Sequence, residues 1–127
     1  MLPATPLPGG DILVTEITGA WITRLTSGGK VIWSVRAPRV RYPSDAFPTR
    51  GGQIIVADFS KPGRIVIFDP ATGKVAWEYD ERSGERMLDH PSLALELPNG
   101  NIVANDDLRH RVVVIDQDSY YRDLDAI

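Results

Sequence analysis

Apolar residues come in short runs of three to five along the chain. They include "ILV" at Ile12 to Val14, "IIVA" at Ile54 to Ala57, "IVIF" at Ile65 to Phe68 and "VVVI" at Val112 to Ile115. Gly, Pro, Asn or Asp punctuates each run, and this spacing predicts short β-strands joined by tight turns. "IIVA" and "IVIF" leave no polar position on alternate residues, so these strands are predicted to be buried on both faces. No window keeps a helical period. Only "DSYYRDLDAI", from Asp118 to Ile127, suggests a helical turn.

The runs repeat. "GDILVTE" (Gly10 to Glu16), "GQIIVAD" (Gly52 to Asp58) and "GNIVAND" (Gly100 to Asp106) are versions of one segment, offset by 42 and 48 residues. At the second offset Pro43 aligns with Pro91, Ser44 with Ser92 and Ala46 with Ala94. "GGKVIW" (Gly28 to Trp33) aligns with "TGKVAW" (Thr72 to Trp77), and "RIVIFD" (Arg64 to Asp69) with "RVVVID" (Arg111 to Asp116). The offsets drift by a few residues, as they do when loops vary and strands do not.

The middle unit reads as four strands: 44–48, 53–57, 64–68 and 75–79. "RGGQ", "PNGN" and "DPATGK" supply the turns, where Gly or Asn accepts positive φ and Pro fixes it. A four-stranded meander recurring every 42 to 48 residues predicts an all-β chain of three β-propeller blades, spanning 1–42, 43–90 and 91–127. A single blade cannot cover its own apolar faces, whereas stacked blades cover each other's. Trp33 and Trp77 occupy equivalent outer-strand positions and are expected to wedge between neighbours. The third unit lacks the turn Gly and the Trp, so its last strand is expected to be degenerate.

The pattern P-S-x-A, G-x-I-x-V-A-D, R-I-V-I-F-D, G-K-V-x-W-x-Y, carried by Pro43 to Tyr79, resembles bacterial six-bladed propellers of the NHL and quinoprotein-like type. The resemblance implies a ring of more blades than three. The chain is therefore expected to be part of a longer propeller, or half of a ring closed by a second copy. Members of such families are often exported. "MLPATPLPGG" shows no basic segment followed by an apolar one, so no signal peptide is visible, and a soluble chain is expected.

Charge narrows the partners. Fourteen basic residues against 17 acidic give a net charge of −3. Phosphate-backbone binding needs a clustered positive surface, and the closest approach to one is Arg36, Arg39 and Arg41 in a predicted loop. Neither a nucleic acid nor a membrane is expected as partner. The chain has no cysteine, which removes disulfides and thiolate chemistry. No zinc-protease, phosphate-loop or nucleophile-elbow motif occurs, and neither a cofactor nor a metal is expected.

Asp58, Asp106 and Glu16 end the second strand of each unit. A ring of carboxylates around a cation is one reading. The simpler one is structural, with each carboxylate accepting backbone N–H groups or pairing with Arg64 or Arg111. Positions where the copies disagree are better site candidates. His90 stands where the middle unit has Tyr42, and Asp45 stands where the last has Leu93. Both lie at starts of first strands, so both are expected at one mouth. "NDDLRH" reads as a solvated loop, with His110 on the surface. The run from His90 through "LPNGN" also resembles arylsulfotransferase-like propellers. That resemblance implies a channel-facing histidine acting on the transferred group, through the proton exchange of which imidazole is capable near neutral pH. The residues alone favour a non-catalytic scaffold that binds a ligand or a protein. The enzyme fragment, sulfotransferase-like or quinoprotein-like, is the alternative.

Overall fold

The computed structural model describes residues 4–116 and 121–123. Among them are twelve strands: β1 (Ala4–Pro6), β2 (Ile12–Glu16), β3 (Trp21–Leu25), β4 (Val31–Arg36), β5 (Pro43–Pro48), β6 (Ile54–Asp58), β7 (Arg64–Phe68), β8 (Val75–Tyr79), β9 (Pro91–Glu96), β10 (Ile102–Asp106), β11 (Arg111–Ile115) and β12 (Tyr121–Asp123). They form three antiparallel meanders of four, β1 to β4, β5 to β8 and β9 to β12. No helix among the described residues is long and apolar enough to cross a membrane.

Period-two geometry sends alternate side chains to opposite faces of a sheet. In the middle sheet both faces are apolar. Ile54, Val56, Val66 and Phe68 join Leu13, Ile22 and Val40 in one core. Ile55, Ala57, Ile65, Ile67 and Tyr79 join Ala94, Ile102, Val113 and Ile115 in a second. The middle sheet is thus packed between its neighbours, which makes the three sheets successive blades of a β-propeller. Trp33 packs against the first core and Trp77 against the second.

The first strands β1, β5 and β9 lie side by side. Thr5 Oγ1 donates to Asp45 Oδ1 at 3.2 Å, and Ser44 Oγ donates to the Ser92 carbonyl at 2.6 Å. Because each sheet is an antiparallel meander, the starts of its first and third strands share an end with the finishes of its second and fourth. That end is called the mouth below.

Two expectations need correction. The C-terminal segment is not a helical turn at 121–123. Tyr121, Arg122 and Asp123 pair with Ile115, Val114 and Val113. The open edge of β11 offers unpaired N–H and C=O groups, and three extended residues satisfy part of it. The rest of that segment lies outside the described residues. "NDDLRH" is not simply a solvated loop either. Asp106 closes β10 fully buried, and Asp107–Arg109 form one turn of 3-10 helix, closed by His110 in the left-handed region (φ 53°).

The outer faces of the flanking sheets are only half covered. Ile12, Val14 and Leu25 share the outward face of the first sheet, and Val112 and Val114 lie on the outward face of the third, which is the opposite face of the blade. Stability should therefore concentrate in the middle blade. Ile65→Ala, at a site with 0% exposure, is expected to cost about 2–5 kcal/mol in urea unfolding. Val31→Ala, on the exposed β4, should change it by about 0.5 kcal/mol or less.

Candidate ligand site at the mouth

Two buried carboxylates build the mouth. Asp58, at the end of β6, accepts the backbone N–H of Tyr42 at 3.0 Å and of Arg41 at 3.3 Å. Asp106, at the equivalent end of β10, accepts the N–H of Asp89 at 2.6 Å. Its other oxygen takes Arg111 Nε at 2.8 Å. Each carboxylate thus ties the segment entering a first strand to the end of the second. Arg64, offered above as a partner for Asp58, instead binds Asp80 at 2.9 Å and the Arg39 carbonyl. The carboxylates do not gather around a cation. No group of three or more metal-ligating side chains occurs among the described residues.

On these anchors stand Tyr42 and His90, each preceding the proline that opens β5 or β9. His90 has φ 56°, a left-handed conformation that is uncommon outside glycine and is held only where neighbours over-determine it. Here they do. Its N–H donates to the Ser60 carbonyl at 2.9 Å, its ring meets Phe59 edge-on at 4.9 Å between centroids, and Nδ1 lies 2.7 Å from Asp89 Oδ1. Asp89 is itself fixed by Asp106 and by the Leu108 N–H on its carbonyl. A carboxylate at Nδ1 favours the neutral tautomer with its proton there, which leaves Nε2 as the basic nitrogen.

Ile17, Tyr42, Pro43, Ser44, Phe59 and His90 line a pocket of about 280 Å³ where the β2–β3 and β6–β7 loops meet the segments entering β5 and β9. Ile17, Tyr42 and Phe59 are exposed large side chains, and three such neighbours make an apolar patch. Asp45 is not in this lining. It sits on β5 below the mouth, hydrogen-bonded to Thr5, so the pocket holds His90 without it. Gly63 sets the spacing between the second and third blades beside it. A Cβ there would come within 2.3 Å of the Pro91 ring, so only glycine lets the loop after β6 reach the start of β9.

Beyond Tyr42 the mouth continues as a depression along Ile17 to Ala20 and Arg36. It ends in a cleft of about 490 Å³ whose lining includes Arg36, Arg39, Arg41, Arg64 and Arg82. The sequence showed only the first three as neighbours. Arg64 opens β7 and Arg82 follows β8, and only the meander brings them to the same end.

No protein-family model matches the chain, and no curated protein matches it. Solved structures do. Streptogramin B lyase shares 17% identity with a TM-score of 0.69, over 94% of this chain and 38% of that one. A catalytically inactive histidine-to-alanine form of virginiamycin B lyase from Staphylococcus aureus, solved with quinupristin, shares 17% at 0.68, over 94% and 39%. The WD40 β-propeller domain of Doa1 shares 18% at 0.68, over 93% and 36%. The chain spans less than two-fifths of the length of each of these, and identities this low speak for the fold alone. They include both lyases and a WD40 domain, so the fold likeness does not choose between catalysis and binding.

The two anchors differ in what they hold. Asp106→Ala removes the carboxylate from Arg111, whose side chain is 10% exposed and keeps the Glu85 and Met87 carbonyls, and should cost about 3–5 kcal/mol. Asp58→Ala leaves two backbone amides unpaired and should cost about 1–3 kcal/mol. Urea unfolding of the two variants, compared with the parent, measures both.

Proposed function

We propose that this chain is a ligand-binding β-propeller segment whose mouth, at the pocket around His90, receives a small molecule with an apolar or aromatic part. The carrying observation is the pocket itself. Its volume of about 280 Å³ is just below the usual range for small-ligand sites. Exposed apolar rings surround it on loops held rigid by buried carboxylates. The kinship to NHL and quinoprotein-like propellers belongs to the same proposal and is supported by the residues from Pro43 to Tyr79. Titration with phenol, followed by NMR, should shift Ile17, Tyr42, Phe59 and His90 most. Phe59→Ala should weaken binding about threefold or more, the loss of a stacked ring being worth roughly 0.5–1.5 kcal/mol. Shifts spread evenly over the surface would refute the pocket.

One observation favours a second reading, that of a catalytic mouth. Asp89 orients His90 as carboxylates orient general bases. That a histidine matters in virginiamycin B lyase is a property of that protein. Here the reading stands on the 2.7 Å contact and on the arylsulfotransferase-like run after His90. With 4-nitrophenyl sulfate the binding reading expects no release of nitrophenol. Release that falls about a hundredfold or more in His90→Ala would establish the catalytic one.

The half-covered faces of the flanking blades support a further part of the proposal, self-association through those faces. Sedimentation at micromolar concentration should show species heavier than the 14.0 kDa chain. Val14→Lys should shift them toward the monomer. A folded monomer throughout would remove this part.

A further inference from the structure

The arginine cleft has no role in the pocket reading, and its charge is unusual for the chain. Five of the 14 basic residues converge there in a molecule of net charge −3. Three carboxylates answer them. Glu78 takes Arg39, Asp80 takes Arg64 and Arg82, and Asp58 is spent on the Arg41 and Tyr42 amides. Five cations against three anions leave two positive charges. The hydrogen bond and charge of Glu78 raise the Arg39 pKa further, so that guanidinium stays ionised. Arg41 has no ion pair or side-chain hydrogen bond among the described contacts, and Arg36 rests on the Trp21 ring, 5.4 Å from its centroid.

The floor is preorganised, and on the rim Arg82 is shared with Asp80 and Arg36 with the Trp21 ring, while Arg41 makes no such contact among those described. Arg64, with its side chain 19% exposed, is clamped between Asp80 and the Arg39 carbonyl. Around it, Arg36, Arg41 and Arg82 expose guanidinium groups at the opening. Guanidinium groups bind oxyanions through paired N–H donors, a geometry that ammonium groups do not share. At about 490 Å³ the cleft is much larger than a bare oxyanion needs. Arg41 and Tyr42 are consecutive residues, and the depression between cleft and pocket contains both.

The geometry points to an oxyanion site: the arginine cleft holds a phosphate, sulfate or carboxylate group of the ligand whose apolar part occupies the His90 pocket. This assignment rests on the pocket reading given above and adds the chemical class of the ligand. The two parts fail separately.

The test compares phenyl phosphate, inorganic phosphate and phenol by calorimetry on the full chain at low and high salt. Each of Arg41→Gln, Arg41→Lys and the double variant Arg41→Gln/Arg82→Gln is first shown to be folded by circular dichroism. The expected result is phenyl phosphate binding about tenfold or more tighter than phenol, the scale of one charge-assisted hydrogen bond. The gain should fall with salt. It should be lost in the double variant, reduced in Arg41→Gln and partly kept in Arg41→Lys, with phenol binding unchanged throughout. Equal binding of phenol and phenyl phosphate to the parent would overturn the oxyanion site and leave the pocket standing. So would a gain that survives in the double variant. Inorganic phosphate binding as tightly as phenyl phosphate, and lost in the double variant, would support the oxyanion site and overturn the pocket. No binding of any probe would overturn both.

Discussion

Everything in this molecule depends on the double burial of its middle sheet. Ile54, Val56, Val66 and Phe68 pack one way, while Ile55, Ala57, Ile65 and Ile67 pack the other. Neither core belongs to one sheet. Each is half of one blade and half of the next, so no blade is complete without a neighbour. Hydrophobic stabilisation scales with area removed from water, and here that removal happens only between sheets. Hydrogen bonds such as Ser44 to Ser92 add alignment to a contact made by apolar burial.

The mouth inherits its rigidity from this packing. A loop that must hold a ring in place needs backbone anchors, and Asp58 and Asp106 provide them from strand ends that the cores immobilise. The acid recurs in the second and third blades because each has the same junction to tie. The side chain placed on that junction is free to differ. One copy presents Tyr42, exposed. The other presents His90, bent into the left-handed region and braced by Asp89. A constant anchor with a variable tip lets one architecture serve different ligands.

Much of the fold was legible because short apolar runs between turn residues mark strands and the blade repeats every 42 to 48 residues. Those patterns are local, or nearly so, and survive in a single chain. The strand at 121–123 was legible only as a degenerate fourth strand of the third unit, beside a helical alternative, because its cause is the open edge of β11 and not its own composition. The arginine cleft was missed for a related reason. Arg41, Arg64 and Arg82 stand about twenty residues apart, and no spacing rule joins them. Only the meander does, by returning β7 and β8 to the same end. Residues that open third strands and follow fourth ones share the mouth, and Arg64 and Arg82 hold those two places. Asp45 shows how the pleat enters such a reading. Its place near a strand start suggested the mouth, but the pleat and the irregular pairing between Pro43 and Ala46 set it beside Thr5.

Gly63 carries a consequence for how such a chain can change. The repeats differ in length, and most of their loops have room to absorb the difference. The contact of Gly63 with the Pro91 ring has none, since a single methyl group would overlap it. It works as a bearing surface between two blades: the parts on either side can be exchanged, but the clearance cannot. Drift at this one position would turn the third blade, and the histidine beside Pro91 would turn with it.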